Sequence, residues 1–171
     1  MGAVPYSYFV RYQPDIGAAL QELREREFRQ GRYNPVLRFP PRPVGPDSPA
    51  PGARHRSIRE ALRASGADGT RSILDLEQVS EEPRLGAVAP FPDDVLRALY
   101  GTTQPTREMI EQGADSEYLE RGEGIYVVVY RDGRRDEIYF AGLSLRLSTR
   151  RRTICCSRRP TRIAVFQPST V

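Results

Sequence analysis

The stretch IYVVVYRDGRRDEIYFAGL, residues 125–143, decides the fold of this chain. Two runs of β-branched and aromatic residues flank Asp132-Gly133, and an Asp-Gly pair between such runs is the sequence signature of a tight β-hairpin. The first run is apolar or aromatic at every position, which predicts a central strand that is covered on both faces. We therefore expect an antiparallel hairpin in the middle of a sheet.

Residues before this hairpin predict a further strand and two helices. Apolar and aromatic residues recur with a period of two over residues 6–12, which is typical of a strand. Helical spacing of apolar residues follows between Asp15, a suitable N-cap, and Gly31, a suitable stop. Ser57 and Glu60 have the spacing of a capping box, so a second helix is expected to begin there.

The rest of the chain predicts an α+β fold. The patterns indicate a strand over residues 72–79, a loop bounded by Pro90 and Pro92, and helices over 93–100 and 107–112. Weaker patterns indicate short strands at 36–39 and 162–166 and a helical turn at 116–121. This order of elements predicts a single domain with a mostly antiparallel sheet covered by helices.

Two segments are expected to lie outside the packed core. Residues 40–52 contain six prolines in thirteen positions, which predicts an exposed, proline-rich loop. A polyproline II ligand is the second interpretation of that loop. We expect residues 1–147 to form the single α+β domain, and residues 148–171 to form an arginine-rich tail that is disordered or foreign to the domain.

Positive charge is concentrated at the end of the chain. The protein has 26 basic and 22 acidic residues, and every basic residue is an arginine. Residues 141–171 contain seven arginines and no acidic residue, so residues 1–140 have a net charge of −3. A basic nucleic-acid-binding surface is therefore not expected on the body of the protein.

The tail has three interpretations. Its clustered arginines could bind phosphates of a nucleic acid, because each guanidinium can donate two hydrogen bonds to one phosphate. The candidate residues are Arg150, Arg151, Arg152, Arg158, Arg159 and Arg162. Only Phe166 lies nearby, so base stacking is not indicated. A foreign or unstructured extension is preferred, and an ordinary strand is the third interpretation.

Residues suited to catalysis or metal binding are few. Without lysine, no Schiff base can form on a lysine side chain. Asp75 and Glu77 are two apart on a predicted strand, which would project both carboxylates from one face toward a metal or a substrate. His55 is the only histidine and could join them. A solvent-facing strand and a surface histidine are the preferred interpretations, so we expect neither a metal nor a cofactor.

The function predicted from these patterns is non-catalytic protein binding. We expect a cytoplasmic, bacterial protein with no membrane segment, of the immunity, antitoxin or adaptor kind, and not an enzyme. Its partner would be another protein, with a basic surface that meets the carboxylates Glu108, Glu111, Asp115, Glu117, Glu120 and Glu123. The alternatives are nucleic-acid binding through the tail and a small metal-dependent enzyme that uses Asp75 and Glu77.

Overall fold

The computed structural model describes residues 4–33, 55–66, 69–113 and 118–144 of the chain. The helices within these ranges are α1 (Ile16–Arg29), α2 (Ile58–Ser65), α3 (Asp93–Tyr100) and α4 (Arg107–Gln112). The strands are β1 (Pro5–Arg11), β2 (Gln78–Val79), β3 (Ala87–Pro90), β4 (Gly124–Arg131) and β5 (Arg134–Leu143). A 3₁₀ helix spans Ile73–Asp75.

The strands form one five-stranded sheet in the order β1-β5-β4-β3-β2. The pairs β1/β5 and β4/β5 are antiparallel, and the pairs β3/β4 and β2/β3 are parallel. The predicted α+β fold class is therefore confirmed. The prediction of a mostly antiparallel sheet is wrong, because half of the strand pairings are parallel.

The hairpin of β4 and β5 has the predicted position and turn. Arg131 pairs with Arg134, so the loop consists of Asp132 and Gly133 alone. Both loop residues have a positive φ, 51° and 72°, which matches the twist of a two-residue hairpin turn. β4 is the third of the five strands, so the predicted central strand is confirmed as well.

The parallel half of the sheet arises from β3, which the sequence analysis did not predict and whose last residue, Pro90, it placed at the start of a loop. Residues 87–89 are buried, and the Phe91 amide donates to the Tyr126 carbonyl of β4 at 3.0 Å. Because backbone groups alternate along a strand, the Pro90 nitrogen faces the other side, where the two-residue β2 has already ended. The proline therefore removes no hydrogen bond from the sheet, and it is compatible with a strand at this position.

The strand predicted over residues 72–79 is also wrong. A 3₁₀ turn replaces its first part, and only Gln78 and Val79 pair as β2. The segment brings three apolar side chains inward, since Ile73, Leu74 and Leu76 are all fully buried. Ile73 and Leu76 pack in the cluster that contains α1 and β5, whereas Leu74 packs in a smaller cluster with Tyr33 and Ala61.

Apolar side chains cover the sheet on both faces. On one face, Leu20 and Leu23 of α1 pack against Ile138 and Phe140 of β5. On the other face, α3 and α4 contribute to a second cluster that includes Val127 of β4. The side chains of β1 follow the same alternation, because its even-numbered residues face α1 and Phe9 faces α4.

The helix ends follow local rules that the sequence analysis identified. The Asp15 carboxylate accepts from the Ala18 amide at 2.9 Å at the start of α1, and Gly31 follows the helix with a φ of +65°. At the start of α2, the Ser57 hydroxyl accepts from the Glu60 amide at 3.2 Å. The predicted helices over residues 93–100 and 107–112 are confirmed as α3 and α4.

Several predictions fall on residues outside the described ranges. They concern the strand at 36–39, the proline-rich loop at 40–52, the strand at 162–166 and the whole tail after residue 147. The division of the chain at residue 147 therefore stays a prediction. Among the residues that the structure describes, no helix combines the length and the apolar character needed to span a lipid bilayer.

Candidate interaction site at the edge strand

Asp75, one of the residues proposed from sequence for acid or metal chemistry, closes a loop in the structure. Its carboxylate accepts from the amide and the hydroxyl of Thr70 at 2.7 and 2.8 Å, and from the Arg71 amide at 3.1 Å. Burial raises the pKa of Asp75, and these hydrogen bonds oppose that rise. All three contacts lie within the chain, so the carboxylate is engaged in holding the loop.

Glu77 and His55 lie in different surroundings. The Glu77 side chain is exposed, because the segment from 72 to 77 is not the strand that would have aligned it with Asp75. His55 is buried, and its Nδ1 is 2.7 Å from the Tyr33 hydroxyl. Within the described residues, no group of three His, Cys, Asp or Glu side chains has the geometry to hold a metal ion.

The acidic residues proposed for protein binding are separated by gaps in the description. Glu108 and Glu111 are exposed on α4, and Glu111 forms an ion pair with Arg107 at 2.8 Å. Glu120 is exposed and Glu123 is half-buried just before β4. Asp115, Glu117 and the six tail arginines, which are Arg150, Arg151, Arg152, Arg158, Arg159 and Arg162, lie outside the described residues. Their predicted roles stay predictions.

β1 forms one edge of the sheet and presents backbone groups outward. The Tyr12 amide donates to the carbonyl of Asp136 in β5 at 2.9 Å. Antiparallel pairing alternates from there, so the even-numbered residues of β1 hydrogen-bond to β5. The amides and carbonyls of Ser7, Phe9 and Arg11 therefore point away from the sheet, into the space where a sixth strand would lie.

No described residue hydrogen-bonds to these outward groups. None of the seven residues of β1 is buried, whereas residues 138–142 of the paired strand β5 are all buried. Natural proteins usually protect an edge strand with a proline, a charge or a bulge. Here Pro5 and Arg11 protect the two ends, while residues 6–10 are uncharged and pair without a register shift.

A cleft of about 380 Å³ runs between the end of β1 and one flank of α1. We call it the helix cleft. Its lining residues are Val10, Arg11 and Gln13 beside the strand and Ala19, Glu22, Leu23, Arg26 and Arg29 on the helix. The helix rises 1.5 Å per residue, so the flank from Ala19 to Arg29 is about 15 Å long, which matches four to five residues of an extended chain.

The opposite flank of α1 is packed against the body of the protein. There the Gln21 amide group donates to the Glu77 carbonyl at 2.8 Å, and the Arg24 guanidinium donates to the Leu74 carbonyl at 3.2 Å. Burial lowers the pKa of Arg24, and the charges of Glu77 and Asp75 oppose that effect. One flank of α1 is thus fixed to the body of the protein, and the helix cleft lies along the other flank.

A buried carboxylate organises the arginines at the end of α1. Glu27 has a side-chain exposure of only 1%, and its oxygens accept from Arg32 at 2.6 and 2.7 Å and from Arg26 at 3.1 Å. Burial alone would raise the pKa of Glu27, but the hydrogen bonds and charges of Arg32 and Arg26 outweigh it and hold the pKa below its usual value. Arg26 is therefore anchored at its inner edge while 44% of its side chain remains exposed to the cleft.

A second cleft lies on the other face of the same strand. It has a volume of about 260 Å³, and β1, β5 and Leu119 line it. Ser7 faces this cleft, whereas Val10 faces the helix cleft. A chain added beside β1 would place its alternate side chains toward these two clefts, as the two faces of a strand require.

Comparison with known protein families, with characterised proteins and with solved structures found no match to this chain.

The candidate site combines β1 and α1, which the sequence analysis treated separately. The sequence patterns predicted both β1 and α1 but assigned no role to the charged residues of α1. The order of strands in the sheet was not predictable from the local pattern, and this order alone places β1 at an edge beside α1. The available signal was the lack of protecting charges within residues 6–10, which is unusual for an exposed strand.

Proposed function

We propose that this protein is a non-catalytic protein-binding module that pairs its edge strand β1 with an extended segment of a partner protein. The observation that carries the proposal is the row of outward backbone groups on β1, to which no described residue hydrogen-bonds. Strand addition uses such a row for affinity, and it uses pockets for alternate side chains for specificity. The clefts on the two faces of β1 supply those pockets.

The strand is held rigidly enough to serve as a template. Arg107 of α4 lies over the Phe9 ring, with its guanidinium carbon 4.2 Å from the ring centre. The same guanidinium donates to Glu137 of β5 at 3.0 Å and forms an ion pair with Glu111. Phe9 also packs against Tyr139, with ring centres 4.8 Å apart. A partner strand would therefore meet a preformed edge, which lowers the entropic cost of binding.

The engaged state of Asp75 and the buried pairing of His55 support binding over catalysis. Asp75 accepts three hydrogen bonds from its own loop, and His55 pairs with Tyr33 inside the core. A catalytic acid or base must be within hydrogen-bond reach of a substrate. The edge of β1 meets the corresponding requirement for a partner strand, since its hydrogen-bonding groups face outward.

Replacement of Ser7 by proline is expected to weaken partner binding by at least about tenfold while the fold is retained. Ser7 is exposed, and its amide points away from β5, so a proline there removes one outward donor and no hydrogen bond of the sheet. The measurement is co-purification from the native cell with the wild-type protein and the Ser7→Pro variant as parallel baits, followed by quantification of each retained protein.

Ser7→Ala is the matched control, because it removes the hydroxyl and keeps the amide. A partner that binds the wild type and Ser7→Ala equally, and binds Ser7→Pro poorly, supports strand addition. Circular dichroism of both variants must show the wild-type spectrum. Equal retention of every partner by Ser7→Pro, or no specific partner for the wild type, would contradict the proposal.

A further inference from the structure

We infer that the segment which pairs with β1 carries acidic side chains at alternate positions, and that the helix cleft receives them. The inference rests on the proposed function and specifies the chemistry of the partner. Residues that face one side of an added strand project toward α1, because the side chains of β1 with the same orientation already face that helix. Every second residue of the partner therefore meets the flank of α1 that lines the cleft.

The lining of the helix cleft is positively charged. It includes three arginines, Arg11, Arg26 and Arg29, and one carboxylate, Glu22. Glu22 already accepts from the Gln13 side chain at 3.3 Å. An acidic side chain in the cleft would meet more donors than acceptors, and arginine is well suited to pair with a carboxylate because it can donate two parallel hydrogen bonds.

Ion pairs within α1 leave this charge available. Glu27 is shared between Arg26 and Arg32, so these three groups retain one positive charge. Arg29 pairs with Glu25 at 2.8 Å, but both side chains are largely exposed, at 72% and 62%. An ion pair of that kind contributes little and exchanges readily, so Arg29 can turn to a carboxylate in the cleft.

Charge also selects a partner protein over segments of this chain. Residues 145–171 carry seven arginines and no acidic residue, and residues 34–54 carry three arginines and one aspartate. Neither segment complements an arginine-lined cleft. A second copy that paired through β1 would offer the sequence PYSYFVR, which contains no carboxylate. An acidic extended segment of another protein is the occupant that fits.

The test uses three synthetic probes of the same seven-residue length as β1. Every second residue of each probe is threonine or valine, and these residues are the same in all three probes. The residues between them are all glutamate in the first probe, all glutamine in the second and all arginine in the third. Fluorescence anisotropy at low ionic strength is expected to show binding of the glutamate probe at least about tenfold tighter than that of the arginine probe, with the glutamine probe between them. Added salt should reduce this preference, because the charges are partly exposed.

Two variants locate the effect. Arg29→Glu reverses a charge in the cleft and is expected to abolish the preference for the glutamate probe. Arg63→Glu makes the same change of net charge on an exposed position of α2, which does not line the cleft, and is expected to preserve the preference. Ser7→Pro should weaken binding of all three probes, since it removes a hydrogen bond common to them.

The outcomes separate this inference from the proposed function. If all probes bind equally and Ser7→Pro weakens all of them, strand addition stands and the acidic preference is overturned. If the glutamate probe binds but Ser7→Pro has no effect, it adsorbs to arginines without pairing, and the inference is overturned. Failure of the glutamate probe to bind also overturns the inference. So does sedimentation that shows a dimer for the wild type and a monomer for Ser7→Pro, because β1 would then pair with a second copy of the chain.

Discussion

Replacement of Asp75 by alanine is expected to lower the free energy of unfolding by about 3 kcal/mol, since it removes a charged acceptor of three hydrogen bonds. The amide of Thr70, a fully buried residue, would lose its partner. The loop also holds Arg71 at a φ of +53°, a conformation that non-glycine residues rarely adopt. Urea denaturation followed by circular dichroism measures the change.

Glu77→Ala is the matched control for Asp75→Ala. The Glu77 carboxylate is exposed, so its removal is expected to change the free energy of unfolding by no more than about 0.5 kcal/mol. The hypothesis of a shared acid or metal site treats the two carboxylates as equivalent partners. Equal and small effects of the two substitutions would contradict the structural role of Asp75.

Local sequence signals predicted the three strands that form the antiparallel half of the sheet, β1, β4 and β5. The pair Asp132-Gly133 identifies the hairpin by itself, because a two-residue turn needs residues that tolerate a positive φ. The helix α1 is equally local, since Asp15 and Gly31 mark its ends. The signals for these elements lie within or next to the elements themselves, so the local sequence pattern predicts them.

The parallel half depends on contacts between distant residues. β3 has only four residues, and it pairs with β4 from a position more than thirty residues earlier in the chain. Its sequence, AVAP, is short and ends in a proline, which is typical of a loop. Its pairing with β2 and β4 makes it a strand. The 3₁₀ helix also depends on distant residues, because Ile73 packs in the cluster of α1 and β5 and Leu74 packs with Tyr33 and Ala61.

The candidate site was least predictable because an edge is a property of the whole sheet. The alternation in β1 predicts a strand but does not say whether one neighbour or two will pair with it. The charged residues of α1 show the same limit. Glu25 and Glu27 are two positions apart in a mixed-charge run, yet one is exposed and the other is almost completely buried.

Replacement of Glu27 by glutamine is expected to lower the free energy of unfolding by about 2 kcal/mol near neutral pH. Glutamine preserves the size of the side chain but cannot provide two charged oxygens to Arg26 and Arg32. This loss is smaller than that for a fully buried ion pair, because the side chains of Arg26 and Arg32 are 44% and 55% exposed. Glu25→Gln, in the exposed pair with Arg29, should cost no more than about 0.5 kcal/mol.

The pH dependence of this difference identifies its cause. The pKa of Glu27 is lower in the folded protein than its usual value near 4.5, so its contribution to stability is complete above that value and is lost as the pH falls through the lower folded pKa. Wild type and Glu27→Gln should therefore differ fully above the usual pKa of 4.5 and converge as the pH falls below it, in urea denaturation. A difference that is constant with pH would mean that packing, and not the charge of Glu27, orders the arginines at the helix cleft.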